Sequence, residues 1–210
     1  MILRMVFESD LASLNIPLGY LSFSVAYLDS ASRLCTVLTR SPRRSNYARG
    51  SVVLHLTFHA IELFLKGAIL ERNPNEILGT HDVQVLSKRY KKLYPGKKYE
   101  FHAPFIGRDP GDLSDDDFRA LYGSELLEDV RKRIKESKKK NPRDQRHRYP
   151  TNTEGQPWDD NVGFEPVSFL VTIKKLKADI AQLAELIFPA NNVLRATRGK
   201  AARGENVSIH

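Results

Sequence analysis

Residues 55–73 read HLTFHAIELFLKGAILERN, and this stretch decides the fold. Apolar residues recur every three or four positions from about residue 45 to residue 72, which predicts a helix that ends at Asn73-Pro74. A glycine in mid-helix costs about 1 kcal/mol relative to alanine, so we expect Gly67 to mark a close helix crossing. The predicted core stripe consists of Val52, Leu56, Ala60, Leu63, Gly67 and Leu70.

The segments on either side of this helix show the same spacing. Pro17 suits the first turn of a helix that ends near Ser41-Pro42, and a last helix begins near Pro166 and ends at Phe188-Pro189. Between them, Thr80 can cap a shorter helix from His81 to about Tyr94. The predicted stripes are Leu21, Val25, Leu28, Ala31, Cys35 and Leu38 in the first helix, and Phe169, Ile173, Leu176, Ile180, Leu183 and Ile187 in the last.

These helices predict an all-α fold, an antiparallel bundle of four to five helices with a long structured loop and a basic C-terminal tail. We expect one bundle domain over residues 1–188 and a flexible tail over residues 189–210. Ser114 and Ser124 each precede acidic first turns, which favours helices there. Residues 141–165 contain three prolines and two glycines and predict a loop with a tight turn near Glu154-Gly155.

Composition indicates the cellular compartment in which the protein is expected. The chain has 210 residues, a net charge of +8 and one cysteine. The N-terminus does not resemble a signal peptide, and no segment reads as the roughly 20 apolar residues that span a bilayer, so we expect a cytoplasmic protein without a membrane role. Cys35 lies in an apolar stripe, which favours a packing role over reactivity.

The positive charge is concentrated in one region. Residues 131–149 hold ten Lys and Arg against two acids, whereas residues 109–129 hold eight acids against one arginine. Part of this segregation matches a helix macrodipole, with acids first and bases last. The basic region is also a candidate surface for phosphate groups, although a run of charges is often just a solvated face.

The stretch at 55–73, followed by THDVQVL at 80–86, resembles the core of HEPN domains, the higher-eukaryote and prokaryote nucleotide-binding helical bundles. The likeness lies in Glu62 and Lys66 on one helix and His81-Asp82 at the start of the next; RYPTNTEGQPW at 148–158 is similar to a loop of some bacterial members. It covers residues 18–188. The resemblance implies a helical bundle, commonly a homodimer, that is either a metal-independent ribonuclease of toxin–antitoxin or phage-defence systems or a non-catalytic module for nucleotides or partner proteins.

The ribonuclease members carry an arginine, then four to six residues, then a histidine on a late helix. There, histidine would move a proton and arginine would stabilise phosphate charge. NPRDQRHRYP at 141–150 departs from this pattern, because three residues separate Arg143 from His147 and Pro142 interrupts a helix. His147, Arg143 and Arg146 remain the catalytic candidates. Arg49 and His55 have the required spacing, but they do not share a helix face and lie on an early helix.

A second group of candidates forms a central polar site. His55, His59, Glu62 and Lys66 are spaced four, three and four apart along one helix. Two histidines and a glutamate could bind zinc, but a further ligand is missing, so we expect no metal site and no cofactor. The alternatives are a structural role, with a Glu62–Lys66 ion pair and partly buried, hydrogen-bonded histidines, and a polar pocket or dimer groove. His81 could reach a buried carbonyl, and Asp82 suits a first helical turn.

The third group predicts nucleic-acid binding. Phosphate-neutralising charge stands beside two aromatic rings that bases could stack on, Tyr149 and Trp158. The charged members are Lys138, Lys139, Lys140, Arg143, Arg146, His147 and Arg148. RNA or a nucleotide is the expected ligand, and an antitoxin or a nucleotidyltransferase is a partner that the resemblance suggests. The alternative is a non-catalytic module that docks a partner protein through its acidic surface at 109–129.

Overall fold

The computed structural model describes residues 14–41, 43, 46–106, 116, 119, 129, 132, 136, 143–158 and 163–188. Within these ranges the fold is all-α and has no strand. Its helices are α1 (Ile16–Arg40), α2 (Tyr47–Arg72), α3 (Val83–Leu93), the single turn α4 (Arg143–Arg146) and α5 (Pro166–Ile187). An isolated antiparallel bridge joins Thr151 and Pro157. The predicted tail at 189–210, and nearly all of the predicted helices after Ser114 and Ser124, lie outside the described residues.

Four helices, α1, α2, α3 and α5, pack together as a bundle. Side-chain contacts set their directions: Ser24 of α1 donates to the carbonyl of Ala60 in α2, and Lys177 of α5 pairs with Asp29 of α1. Cys35, near the end of α1, meets Pro166 at the start of α5. Both α2 and α5 therefore run antiparallel to α1, which confirms the bundle.

Side-chain caps explain where the helices begin. Asn15 and Asn46 accept backbone N–H bonds at 3.0 and 2.9 Å at the starts of α1 and α2. Asp82 accepts from Gln84 at 2.8 Å, so Asp82, and not Thr80, is the N-cap of α3. Thr80 instead accepts from the N–H of Asp82. Because Asp82 takes the capping role, α3 begins two residues later than predicted.

Helix α2 lies at the centre of the core. It packs against α1, α3 and α5, so more than one of its faces is buried. The predicted stripe is only partly confirmed: Ala60, Gly67 and Leu70 are buried, but Val52 is 47% exposed. Val53, Phe58 and Ile61, which the stripe did not include, are buried as well. A helix surrounded by neighbours buries apolar residues nearly all round, which removes the one-sided periodicity that a stripe needs. In α5, which has one buried face, the predicted positions from Ile173 onward are buried.

The crossing of α1 and α2 requires Gly67. A Cβ atom at position 67 would lie 3.0 Å from the carbonyl oxygen of Pro17 and 3.0 Å from the Cβ of Tyr20. The absence of a side chain thus allows the two backbones to approach, as the sequence predicted. Cys35 is also where the sequence placed it, fully buried, and burial together with the charge of Glu165 raises the pKa of its thiol to about 11.

Helix α2 has a second property, which the sequence analysis did not predict. Among the described helices it is the one long and apolar enough to cross a membrane, so the expectation that no segment has this character was wrong. However, 72% of its apolar window is buried inside the protein. The core of a helical bundle removes an apolar helix from water, as a bilayer does. The length and composition of α2 therefore do not place it in a membrane.

Candidate functional site

A buried carboxylate organises the central polar site. The Glu62 side chain is 1% exposed, and its Oε1 lies 2.8 Å from Lys66 Nζ and 2.9 Å from His81 Nδ1. Its Oε2 lies 3.2 Å from His59 Nδ1. We call His55, His59, Glu62, Lys66 and His81 the imidazole cluster. Helix α2 thus supplies four of its members, and the residue before the α3 cap supplies the fifth.

The contacts keep Glu62 ionised. Burial by itself raises the pKa of a carboxyl group, but four effects outweigh it here. These are the hydrogen bonds from His59 and Lys66, the positive charge of Lys66 and the hydrogen bond from His81, which together lower the pKa of Glu62 to about 2. At neutral pH, Glu62 is therefore a buried anion that can only accept hydrogen bonds.

Sequence spacing explains most of this arrangement. Positions 59, 62 and 66 are three and four apart and so share one face of α2. The sequence predicted the Glu62–Lys66 ion pair and the hydrogen-bonded state of His59, and both are confirmed. The partner expected for His81 was wrong, because the ring reaches the Glu62 carboxylate and not a carbonyl. A contact across 19 residues depends on how α3 packs on α2, which helical periodicity does not contain.

Rings from two helices frame the imidazole cluster. His55 stacks on His59 with ring centroids 6.0 Å apart and an interplanar angle of 18°. Tyr27 of α1 meets His59 edge-on at 4.7 Å. Burial, with smaller contributions from the charges of Arg148 and His59, lowers the pKa of His55. The Phe105 ring contacts both His147 and Phe58 of α2, which brings the residues after α4 close to this part of α2.

We call residues 143–158 the basic segment. His147 packs its ring 5.5 Å from that of Phe105, and its Nδ1 is buried without a hydrogen-bond partner among the described residues. Burial first, then the charges of Arg146 and His55, lower the pKa of His147 to about 4. His147 is therefore neutral at pH 7, and it adds no charge to the basic segment.

Phe105 connects the basic segment to the bundle. Its ring contacts Phe58 of α2 at 5.6 Å and Phe169 of α5 at 6.3 Å, in addition to His147. Its backbone φ is +73°, an uncommon value for a residue other than glycine. Gln84 holds this conformation by donating to the Phe105 carbonyl at 2.9 Å. The sequence analysis did not identify Phe105, because no pattern in the loop residues indicates that an aromatic residue adopts a left-handed backbone conformation there.

The end of the basic segment is an ordered turn. Trp158 Nε1 donates to the carbonyl of Tyr149 at 2.8 Å, and the buried Asn152 accepts from the N–H groups of Glu154 and Gln156. Gly155 has a φ of +76°, which confirms the predicted tight turn. The Arg146 guanidinium lies 6.0 Å from the Trp158 ring, so the Tyr149 ring, on a residue that is 54% exposed, is the more open stacking surface.

The structure brings some of the predicted site residues together and leaves others apart. The imidazole cluster is assembled as one unit. His147 packs on Phe105, which in turn packs on Phe58 of α2. The short helix α4 replaces the start of the predicted loop, with Arg143 at its first position. Lys138, Lys139 and Lys140 lie outside the described residues. Arg49 is exposed at the start of α2, whereas His55 is half-buried, as expected for side chains that do not share a face.

No group of three or more metal-ligating side chains occurs among the described residues. A separate cleft of about 500 Å³ lies beside α3 and the turn at Lys97–Tyr99. It is lined mainly by tyrosines 90, 94 and 99 and by Phe101, and none of the predicted site residues borders it. Comparisons of the chain with protein-family models, with curated proteins and with solved structures found no match.

Proposed function

We propose that the protein binds RNA or a nucleotide at the face where the basic segment meets the imidazole cluster. The observation that carries this proposal is the contact of His147 with Phe105, whose ring packs on Phe58 of α2, the residue next to His59. Arg146 and Arg148 supply charge for phosphates, and Tyr149 is 54% exposed for base stacking. The buried Glu62–Lys66 pair cancels its own charge and therefore does not offset the charge of the exposed Arg148.

The cellular role follows the resemblance to HEPN domains. We propose a cytoplasmic protein of a prokaryotic defence or toxin–antitoxin system that acts as a homodimer, with an antitoxin or a nucleotidyltransferase as its partner. The pairing of Glu62 with Lys66 and His81 supports this proposal, because these are the positions that carry the likeness.

A salt titration of RNA binding tests the proposal. The affinity of the protein for a fluorescent single-stranded RNA should fall steeply with salt, and Arg148→Gln should lower the slope by about one unit, the contribution of one phosphate contact. Arg89→Gln is the matched control, because it removes the same charge from α3, where Arg89 pairs with Glu76 at 3.1 Å. A wild-type slope near zero would reject RNA binding and favour docking of a partner protein through residues 109–129.

Ribonuclease activity is the finer proposal, and His147 is its least favourable part. A general acid or base works best with a pKa near the working pH, whereas burial lowers the pKa of His147 to about 4. Its neutral ring could accept a proton only weakly at pH 7. Labelled RNA in excess chelator measures cleavage directly, and equal cleavage by wild type and His147→Gln would remove His147 from the mechanism.

A further inference from the structure

The two imidazoles bonded to Glu62 each leave one ring nitrogen for another partner. Because the carboxylate is ionised and can only accept, His59 and His81 both carry a proton on Nδ1. Their Nε2 atoms have no hydrogen-bond partner among the described residues. The His81 side chain is 56% exposed and that of His59 is 22% exposed, so at least one of these nitrogens is open to solvent.

The surroundings of these rings offer no second anion among the described side chains that contact them. Helix α1 contributes the Tyr27 ring against His59, and α2 contributes His55 together with the self-neutralising Glu62–Lys66 pair. Asp82, next to His81, uses its carboxylate to cap α3. The basic segment adds His147, which packs on Phe105 and through it on Phe58 of α2, and the exposed Arg148, whose charge contributes to the lowered pKa of His55. The open nitrogens therefore lie in a region where an incoming anion is favoured.

We propose that His59 and His81 form a clamp for the terminal phosphate monoester of a nucleotide or of an RNA end, with Glu62 as the residue that positions both rings. This inference rests on the proposed function and names the groups of that site that touch phosphate. One proton must lie between each Nε2 and the phosphate oxygen it contacts. A monoester, whose second ionisation lies near pH 6, can bring one of these two protons, and the second is taken up from solvent; an internal diester brings none.

Two consequences distinguish the clamp from simple charge attraction. Binding of a 5′-phosphorylated dinucleotide, pApA, should be tighter than binding of unphosphorylated ApA at pH 6, by about tenfold for one charge-assisted hydrogen bond. The affinity for pApA should then fall between pH 6 and pH 8, by up to about tenfold per pH unit for each proton taken up. Attraction to arginines alone would not weaken over this range, because arginine stays charged while the monoester becomes more negative.

Isothermal titration calorimetry on the full chain, with pApA and ApA at pH 6, 7 and 8, tests the clamp. The decisive variant is His81→Asn, whose amide nitrogen can still donate to Glu62 from the place of Nδ1 while Nε2 is lost. We expect it to lose the preference for pApA. His59→Asn provides a second, independent test should His81→Asn fail to fold, and His102→Asn, an exposed histidine at the separate cleft, is the control.

The outcomes separate this inference from the proposed function. If His81→Asn and His59→Asn fold and keep both the pApA preference and its pH dependence, the clamp is wrong. RNA binding that remains sensitive to Arg148→Gln would then leave the proposed function intact. Conversely, a pH-dependent preference for pApA that disappears in His81→Asn supports the clamp even when the salt titration shows no binding of longer RNA.

Discussion

At the scale of the residue, Glu62 is the side chain on which the site depends. A carboxylate that is 1% exposed has lost its water, and three donors from Lys66, His59 and His81 replace that water. The carboxylate in turn fixes which nitrogen of each imidazole carries the proton. The buried charge of Glu62 thus determines the local stability and also which nitrogen of each imidazole is left for another partner.

Glu62→Gln should therefore destabilise the protein. The variant keeps the shape of the side chain but leaves the Lys66 ammonium, 7% exposed, without its counter-charge. Breaking a buried pair in this way costs about 3 kcal/mol of unfolding free energy, which urea denaturation at pH 7 measures. The double variant Glu62→Gln/Lys66→Met should lose less than the two single variants added together. Additive losses, or a single loss below about 1 kcal/mol, would show that the pair is not coupled.

His147 should give the protein a stability that depends on pH. An unfolded histidine titrates near pH 6.5, whereas burial holds the folded pKa of His147 at about 4. Between these values the unfolded chain binds a proton that the folded protein does not, so stability is complete above pH 6.5 and falls as the pH is lowered towards 4. The loss is at most about 3 kcal/mol.

Urea denaturation of wild type and His147→Phe at several pH values from 4.5 to 7.5 isolates this contribution. The difference between the two proteins should change over this range, because phenylalanine does not titrate. Glu62 does not interfere, since its lowered pKa of about 2 affects stability only below about pH 4.5. Two parallel stability curves would show that His147 is not buried as described.

At the scale of the element, the crossing of α1 and α2 depends on one missing side chain. Gly67 brings the α2 backbone against Pro17 and Tyr20, and it lies next to Lys66 in the sequence. The helix crossing that the glycine permits therefore also fixes the part of α2 that carries the ion pair. A helix propensity scale alone would assign alanine to this position.

Gly67→Ala should destabilise the protein although alanine favours helix formation. The gain in helix propensity is about 1 kcal/mol, but a methyl group 3.0 Å from the Pro17 carbonyl oxygen and from the Tyr20 Cβ requires the α1 backbone to move by a few tenths of an ångström, at a cost of about 1–3 kcal/mol. The net change is a lower melting temperature.

Gly19→Ala in α1 is the matched control for this crossing. Nothing lies within 4 Å of a Cβ atom there, so the variant should be neutral or more stable by up to about 1 kcal/mol. Thermal melts followed by circular dichroism compare the two variants. If Gly67→Ala melts no lower than Gly19→Ala, the crossing is looser than the structure indicates.

At the scale of the whole molecule, the site requires segments far apart in sequence. Phe105 joins them, because its ring touches α2, α5 and the basic segment from a strained backbone conformation. Strain of this kind persists when the surroundings hold it, and here the Gln84 hydrogen bond and three aromatic contacts do so. The docking of the basic segment on α2 is thus a property of the assembled bundle.

Phe105→Ala should release the basic segment. Without the ring, His147 loses its packing partner, and trypsin should cleave after Arg146 and Arg148 several-fold faster than in wild type, because cleavage follows local opening. Site-resolved mass spectrometry measures the rates. Phe101→Ala is the control, since Phe101 packs against Phe64 and Tyr90 away from His147. Equal acceleration in both variants would indicate global destabilisation in place of local release.

The sequence by itself determined the helices and part of the site. Periodicity, prolines and caps located α1, α2, α3 and α5, and the three- and four-residue spacing of His59, Glu62 and Lys66 predicted that they share a face. These features are local, since each depends on residues within one or two helical turns. For the same reason Gly67 could be predicted as a crossing and Cys35 as a buried residue.

The packing of the helices, and not their sequence pattern, sets which faces of α2 are buried, that His81 bonds to Glu62 and that His147 contacts Phe105. Each of these depends on the contact of segments separated by 19 or more residues, and such contacts are set by packing after the helices have formed. The same packing turns an ordinary i,i+4 ion pair into a buried anion with three donors. The removal of water lowers the local dielectric constant and so strengthens the electrostatic interactions between the groups that remain.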